Sequence, residues 1–285
     1  MGMRQSEGIK LPSLSAIDFE RLSEFVHANT GIKITGGKKS LFESRLQKRL
    51  RHLGMKDFGE YCRFLFSGDG IETELNHLID EVTTHKTDFF REPDHFDYLT
   101  NFALPELLKD PGKDKFAVWS AACSTGEEPY TLAMILSDFF ASEYFKSFSI
   151  LATDISAGTV QRAKNAIYRE DQIAPIPVHL RKKYLLRSKN RSKRLVRIVP
   201  ELRSVVRFSP FNLIDGDFGQ IEQSDIIFCR NVIIYFDREI QKKLLQRIYH
   251  NLAPGGYLFM GHSEAIHGFG LSLVKVGPSV YRRTT

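Results

Sequence analysis

Hydrophobic residues recur at helical spacing through the first part of the chain. Phe19, Leu22 and Val26 lie three or four residues apart, which places them on one face of a helix. A glycine pair at 36–37 interrupts the pattern, as loops between helices do. The pattern therefore predicts a small all-helical domain over residues 1–82.

A different pattern follows a connecting segment at 83–92. Short apolar runs now alternate with helical stretches, one of them at 237–252, as a parallel α/β sheet requires. The remainder of the chain, 93–285, is therefore predicted to be one α/β domain of Rossmann-like kind. Its predicted parallel strands are 116–119, 148–154, 224–229 and 257–260.

The alternation breaks at about residues 171–211, where the chain is basic and contains prolines. Two strand-like pieces, 194–198 and 204–208, predict a small antiparallel β insertion there. The last two strand patterns, 273–276 and 279–281, predict a closing antiparallel pair. A seven-stranded sheet with an antiparallel last strand is typical of class I S-adenosylmethionine methyltransferases.

The loop after the first predicted strand has the composition of a cofactor site. Small residues fill it, and Glu127 and Glu128 open the following helix. Two carboxylates at a helix start would repel the pyrophosphate that the G-x-G-x-x-G fingerprint binds there. Asp154 ends the next strand, 28 residues after Gly126, where a Rossmann-like fold places a ribose-binding acid. The pattern favours S-adenosylmethionine over a dinucleotide.

The chain is basic, with 40 Lys and Arg against 34 Asp and Glu and a formal net charge of +6. That balance favours an acidic partner or a nucleic acid. The charge is concentrated on the helical segment 38–51 and on the segment 181–194. A charge run is often only a solvated face. Neither segment carries the interleaved, exposed aromatics of a single-strand stacking platform.

The cysteines and the hydropathy predict the compartment. Cys62, Cys123 and Cys229 are odd in number, far apart and not in metal-ligand pairs, which indicates a reduced cytosol and no zinc. No apolar run approaches the length of a membrane span. We expect a soluble, cytoplasmic protein that does not insert into the membrane.

Five segments of the chain form a set of motifs: HKTDFFRE at 85–92, WSAACSTGEEPY at 119–130, ATDIS at 152–156, FCRNVIIYFD at 228–237 and GHSE at 261–264. In this order and spacing they resemble one family, the chemotaxis receptor methyltransferases, CheR. The resemblance covers nearly the whole chain. It implies transfer of a methyl group from S-adenosylmethionine to glutamate side chains on the cytoplasmic helices of chemoreceptors, with no metal. The products are glutamate methyl esters and S-adenosylhomocysteine.

The resemblance also implies which residues hold the cofactor. Asp154 matches the ribose-binding acid, and Asn212 and Leu213 match the residues beside the adenine. His85 is a departure, because it stands where the family has asparagine, although an imidazole can still donate one hydrogen bond to the cofactor carboxylate. The remaining matches are Thr87, Arg91, Glu128, Arg230 and Asn231.

The chemistry needs no general base, because a glutamate carboxylate is already ionised near neutral pH. The protein must position the carboxylate and exclude water. Arg91 can hold a carboxylate through two parallel hydrogen bonds, and Tyr235 can donate one from its phenol. Both match positions that the resemblance implies are catalytic.

One surface is predicted to meet the receptor, and a second is possible. The basic row Arg45, Lys48, Arg49 and Arg51 would attract glutamate-rich methylation helices. In some relatives the β insertion binds a receptor's C-terminal tail peptide by adding a strand, and the sequence leaves that open here.

Two other functions fit parts of the pattern. The basic balance would suit a nucleic-acid methyltransferase, although 230–236 lacks the Asn/Asp-Pro-Pro-Tyr/Phe motif of enzymes that methylate base amino groups. A non-catalytic module that binds S-adenosylmethionine would not need Arg91 and Tyr235 together.

Overall fold

A computed structural model describes residues 13–142, 146–266 and 268–284. Residues 1–12 of the predicted helical domain lie outside the described part. The chain divides into two units, the first ending at Thr83 and the second beginning at Thr84. None of the helices in the described ranges is long and apolar enough to cross a membrane.

Four α-helices lie in the described part of the first unit, residues 13–83. Their apolar faces bury Leu22, Phe42, Leu46 and Leu78, each at most 3% exposed. Side-chain oxygens accept hydrogen bonds from backbone N–H groups at three of the helix starts, for example Ser15 Oγ from the amide of Asp18. The helices are α1 (Ala16–Thr30), α2 (Lys39–Leu53), α3 (Phe58–Leu65) and α4 (Gly68–Val82).

An ion pair is buried inside this unit. Arg49 on α2 donates from Nε and Nη2 to the two carboxylate oxygens of Glu74 on α4, at 2.8 and 2.6 Å. The phenol of Tyr61 donates to the same carboxylate at 3.0 Å. Glu74 is 1% exposed, so the guanidinium of Arg49 is held by an internal partner.

The second unit alternates strands and helices. Its helices are α5 (Asp94–Tyr98), α6 (Leu104–Leu107), α7 (Glu127–Phe139), α8 (Ala157–Asn165), α9 (Val178–Tyr184), α10 (Pro200–Ser204) and α11 (Arg238–Asn251). Its strands are β1 (Lys115–Ala121), β2 (Ser147–Asp154), β3 (Ile167–Arg169), β4 (Leu185–Arg187), β5 (Leu195–Ile198), β6 (Val206–Pro210), β7 (Ser224–Cys229), β8 (Leu252–Met260), β9 (Leu273–Gly277) and β10 (Val280–Arg283).

Seven strands form one sheet in the order β6-β2-β1-β7-β8-β10-β9. The first five are parallel, and β10 runs antiparallel to both β8 and β9. The β7 strand is buried throughout, as expected for a parallel strand covered on both faces. The predicted class I fold, with its antiparallel last strand, is confirmed.

The β insertion is present, but its predicted extent is wrong. Three short antiparallel strands form a second sheet in the order β3-β5-β4. The piece predicted at 204–208 belongs elsewhere, because β6 pairs in parallel with β2 at the edge of the main sheet. The insertion therefore runs from β3 to β5, and its first strand begins at Ile167, ahead of the predicted start.

Stacked aromatic rings fill the core on one face of the main sheet. The ring of Phe228 on β7 stacks on Phe259 of β8 at 4.3 Å and on Phe96 of α5 at 5.8 Å between centroids. Such pairs add to the stability gained from burying their area. They pack α5, which directly follows the connecting segment 84–93, onto the strands whose ends form the site.

Candidate active site

The site lies at the carboxyl ends of the parallel strands. From β1 the chain moves outward on one side through β2 to β6, and later returns to build β7 and β8 on the other side. Loops on either side of such a reversal diverge, so this edge is where an open α/β sheet is expected to bind a ligand. The elements that meet at this edge carry, or are directly followed by, four predicted site residues: Asp154, Glu128, Arg230 and Tyr235.

Asp154, the last residue of β2, is fixed by two backbone amides. Ser124 N donates to one carboxylate oxygen at 2.8 Å and Ser156 N donates to the other at 3.0 Å. The residue is 7% exposed. A carboxylate oxygen can accept more than one hydrogen bond, so a carboxylate oriented in this way suits a ribose diol.

Two buried carboxylates open α7. Glu127 is 2% exposed and accepts from Thr125 Oγ1, while Glu128 is 9% exposed and accepts from Ser120 Oγ at 2.7 Å. Burial raises the pKa of Glu127 more than its hydrogen bonds lower it. A helix start that carries two carboxylates does not suit a phosphate. These residues therefore fit a cofactor without phosphate groups, as S-adenosylmethionine is.

Arg230, which follows β7, joins the loops at this edge. Its Nε donates to Glu128 Oε2 at 2.7 Å, and its Nη1 donates to the carbonyl oxygen of Arg91 at 2.8 Å and to Glu92 Oε2 at 3.2 Å. Its side chain is 2% exposed, and the guanidinium lies over the rings of Phe96 and Phe228. The side chain predicted to contact the cofactor thus holds Glu128 and the segment 84–93.

His95 accepts a hydrogen bond from the same guanidinium. Its Nε2 lies 3.2 Å from the carbonyl oxygen of Pro278, so Nε2 carries the proton and Nδ1 accepts from Arg230 Nη1 at 3.0 Å. Burial, and then the charge of Arg230, lowers the pKa of His95 to about 4. His95 is therefore neutral at physiological pH. It accepts a hydrogen bond from Arg230 and adds no positive charge that would compete with the guanidinium for Glu92 and Glu128.

The segment that carries the first motif is bonded to the loops after β1 and β7. Ser124 Oγ donates to the carbonyl oxygen of His85 at 2.9 Å, and His85 Nδ1 lies 3.3 Å from Thr159 Oγ1. Arg91 Nη1 donates to the carbonyl oxygen of Lys86 at 3.0 Å, which curls the guanidinium back over its own segment. Thr87 and Arg91 are half-buried. The segment is thus held at the site by its backbone.

Asn231 and Tyr235 lie on the loop after β7. Asn231 Nδ2 donates to Glu92 Oε1 at 3.2 Å. A single 3₁₀ turn, Ile233–Tyr235, places Tyr235 half-buried near the carboxyl end of β7. Burial alone would raise the pKa of Glu92, but the hydrogen bond from Asn231 and the charge of Arg230 outweigh it and lower that pKa.

Asn212 and Leu213 lie on the loop after β6. Asn212 Oδ1 accepts from the amide of Ile214 at 3.0 Å, which shapes the turn, and Leu213 is 7% exposed. The amide of Phe211 donates to the carbonyl oxygen of Asp154 at 2.9 Å. The loop after β6 is thereby joined to the carboxylate predicted to bind the ribose.

Backbone strain is concentrated at this edge. Eight described residues other than glycine have positive φ angles, and five of them belong to the segments just described. The left-handed region is unfavourable for side chains with a Cβ atom, and such strain is kept where the surrounding structure enforces it. The five are Phe90, Glu92, Ala122, Ser124 and Asn231.

Within the described residues, one cluster has ligand types suited to a metal ion. Glu92, His95 and His262 bring ligand atoms within 4.8 Å of one another. Arg230 donates to Glu92 and to His95, so a guanidinium uses the lone pairs that an ion would need and adds a positive charge beside it. This geometry does not favour a cation.

The thiols near the site are core groups. Cys123 and Cys229 are at most 1% exposed, and burial raises the pKa of both well above the usual range. A buried thiol with a raised pKa is a poor nucleophile.

The sequence motifs do not include His95 or Tyr168. The phenol of Tyr168 on β3 donates to the carbonyl oxygen of Thr125 at 2.8 Å, and its ring meets Phe89 edge-on at 4.9 Å. A Cβ atom on Gly126 would lie 2.9 Å from that phenol oxygen. The insertion therefore packs directly on the loop after β1. Tyr168 lies outside the five motifs, and its contacts are long-range, so the sequence carried no signal for it.

Two family descriptions match the chain and together cover most of it. Residues 17–83 match the CheR methyltransferase all-alpha domain, and residues 85–278 match the CheR methyltransferase SAM binding domain.

Curated relatives match over almost their whole length. A chemotaxis protein methyltransferase of Borreliella burgdorferi is 38% identical over 270 residues, which is 93% of this chain and 94% of the relative. That of Klebsiella aerogenes is 38% identical over 275 residues, 96% of this chain and 92% of the relative. That of Escherichia coli is 35% identical over 269 residues, 94% and 91%.

Proposed function

The chain belongs to the CheR methyltransferase family, and from this premise we propose that it methylates glutamate side chains of chemoreceptors with S-adenosylmethionine. One observation carries the proposal. The segment 84–93 is bonded through Arg230 to Glu128 and through Ser124 to the loop that holds Asp154. The residues that we propose for cofactor binding and for holding the acceptor therefore belong to one hydrogen-bonded edge of the sheet.

We propose that the cofactor is held by carboxylates and backbone groups of this edge. Asp154 accepts from the ribose diol, Glu128 lies at the opening of α7, and Asn212 and Leu213 border the adenine. Bound S-adenosylmethionine supplies a methyl group on a sulfonium sulfur, which becomes the neutral thioether of S-adenosylhomocysteine. His85, Thr87 and Asn231 complete the proposed set.

The acceptor needs orientation and not activation. Arg91 would hold the glutamate carboxylate, and Tyr235 would donate a hydrogen bond to the oxygen that does not attack. Correct orientation of two reactants is worth roughly 7–11 kcal/mol of barrier in well-oriented systems. A carboxylate that enters this edge is also removed from water, which makes its oxygen a better nucleophile.

The chemical nature of the product tests the proposal. We would incubate the protein with methyl-labelled S-adenosylmethionine and membranes that contain chemoreceptors, and then treat the receptor with mild base. Glutamate methyl esters release volatile labelled methanol, whereas methylated nitrogen keeps its label. Label that resists base would contradict an ester. S-adenosylhomocysteine binding without any methyl transfer would support a non-catalytic module.

We also propose that the exposed basic residues of α2 meet the receptor. Lys48 and Arg51 are exposed, whereas Arg45 is half-buried and donates to the carbonyl oxygen of Thr83 at 3.2 Å. Arg49 is bonded to Glu74 inside the unit. Lys48 and Arg51 are therefore the members of the predicted row that a partner can reach.

Reversing these two charges should weaken receptor recognition. We expect Lys48→Glu with Arg51→Glu to raise the receptor KM about 5- to 10-fold at low salt, because exposed complementary charges speed the encounter. The matched control is Lys33→Glu with Arg63→Glu, which changes two exposed residues of the same unit by the same charge. An equal KM rise in both variants would show a net-charge effect and contradict a local contact.

The insertion is our proposed site for a receptor tail peptide. Arg197 on β5 lies opposite Ile167 on β3 and Leu186 on β4, and all three are exposed. Residues 167–199 carry ten Lys and Arg against two acidic residues, which suits an acidic peptide added to an outer strand. Anisotropy of a labelled tail peptide, with Arg197→Glu as the variant, tests this. Unchanged binding by the variant would contradict it.

A further inference from the structure

A buried carboxylate joins the loops after β7 and β8. Glu264 is 4% exposed and accepts four backbone hydrogen bonds. Its Oε1 accepts from the amides of Val232 and Ile233, both at 2.9 Å. Its Oε2 accepts from the amides of Asn231 at 2.8 Å and Gly261 at 2.7 Å. Each carboxylate oxygen thus receives two donors.

Three of the four donors are consecutive residues that lead into Tyr235. Asn231, Val232 and Ile233 follow β7, and the 3₁₀ turn begins at Ile233. Asn231 has a φ of 58°, a strained value for a residue with a side chain. The amide of Tyr235 then donates to the carbonyl oxygen of Val232. The place of the phenol therefore depends on the backbone that Glu264 holds.

The fit around the carboxylate is close. A Cβ atom on Gly261 would lie 2.8 Å from Glu264 Oε2, 2.9 Å from the amide nitrogen of Asn231 and 2.6 Å from Asn231 Nδ2. Only glycine lets the carboxylate and the strained loop approach β8 so closely. Gly261 thus provides a second position from which the same arrangement can be disturbed.

We infer that Glu264 is a positioning residue for methyl transfer, whose carboxylate sets the place of the Tyr235 phenol. The inference rests on the proposed role of Tyr235. A carboxylate is required because four N–H donors converge on it and all of its oxygens must accept. A glutamine would turn an NH2 group toward two of these donors, so the loop would have to move.

Glu264→Gln should lower the single-turnover methyl-transfer rate about 10- to 100-fold, since a displacement of about 1 Å in a reacting geometry can have an effect of that size. Rates are measured at a temperature where melting curves show every variant to be folded. Gly261→Ala should act in the same direction. The matched control is Glu222→Gln, the same change at an exposed residue of the same unit, which should keep the full rate.

A double-mutant cycle with Tyr235→Phe supplies a readout that a purely structural role would not change. If Glu264 acts through the phenol, Glu264→Gln should slow the Tyr235→Phe protein less than about 3-fold, because the coupled penalty is already lost. Independent penalties that multiply would overturn the inference, as would a full rate per folded Glu264→Gln molecule. If Tyr235→Phe itself keeps the full rate, the proposed role of Tyr235 fails. A slow Glu264→Gln protein would then show that Glu264 acts by another route, which also overturns the inference.

Discussion

Replacing Arg230 with methionine should lower the free energy of unfolding by about 3–5 kcal/mol, the range for removing one partner of a buried ion pair. The guanidinium is 2% exposed and bonds both Glu128 and Glu92. Methionine keeps the apolar contacts with Phe96 and Phe228 but leaves two carboxylates without their cation. A buried charge without a partner costs far more than an exposed one.

Cofactor affinity should fall in the same variant. Arg230 Nε orients Glu128 at the opening of α7, and its Nη1 holds the carbonyl oxygen of Arg91. Without these bonds, both the proposed cofactor-binding carboxylate and the segment 84–93 lose their fixed positions. We expect calorimetry to show the Kd for S-adenosylhomocysteine at least about 10-fold higher, an effect of about 1.4 kcal/mol.

The pH dependence gives this prediction a second readout. In the wild type the charge of Arg230 helps to lower the pKa of Glu92. Without it, burial acts against less opposition and raises the folded pKa of Glu92, so the folded variant takes up a proton there more readily than the folded wild type does. The stability deficit should therefore shrink as pH falls from 7 toward 5. Chemical denaturation at both pH values measures it.

Arg282→Met is the matched control. Arg282 also lies over an aromatic ring, that of Tyr257, and pairs with Glu106, but its side chain is 38% exposed. A surface pair contributes at most about 1 kcal/mol. Equal losses for the two variants would contradict a special role for Arg230.

Tyr235→Phe should slow methyl transfer about 10²-fold while changing the Kd for S-adenosylhomocysteine less than about 2-fold. The size is that expected for removing one hydrogen-bond donor preorganised for the reacting group. The ring remains, so packing of the 3₁₀ turn should be kept. Single-turnover rates and calorimetry on the same preparation separate the two quantities.

Tyr184→Phe is the control for loss of a phenol elsewhere. The Tyr184 hydroxyl donates to Asp138 at 2.6 Å, remote in sequence from the five motifs. The Tyr184→Phe protein should transfer methyl groups at the wild-type rate. An equal loss of rate and of cofactor affinity in Tyr235→Phe would place Tyr235 in the cofactor-binding set.

The main sheet could be predicted because most of its strands are recognisable from the local pattern of apolar residues. The β7 strand ends in the apolar run Ile226 to Cys229, and a short apolar run of that kind is typical of a strand covered on both faces. The β6 strand could not be assigned in the same way. Its partner is β2, with Ile150 opposite Val206. A local pattern cannot distinguish that distant parallel partner from a nearby hairpin.

The candidate functional residues also differ in whether a local sequence pattern identifies their surroundings. The positions of Asp154 and Glu128 were predictable, because local patterns mark the end of β2 and the start of α7, where the structure has these residues. Their roles toward the cofactor stay predictions. The internal pairing of Arg49 was not predictable, because Glu74 lies on another helix, 25 residues further along the chain. A helical pattern shows which side of α2 is apolar, but not which of its charged residues has a buried partner.

The strained backbone at the site edge sets a limit for engineering. Replacing Ala122 or Ser124 with glycine would relieve an unfavourable φ, yet it would also free the loop in the unfolded and the folded chain. Selection for thermostability without an activity screen would accept such a replacement where the relieved strain outweighs the added freedom of the unfolded chain, and the loosened loop would then lower turnover. Directed evolution for a more stable enzyme should keep the five strained residues, Phe90, Glu92, Ala122, Ser124 and Asn231, unchanged. Stabilising substitutions should be sought in the helical unit.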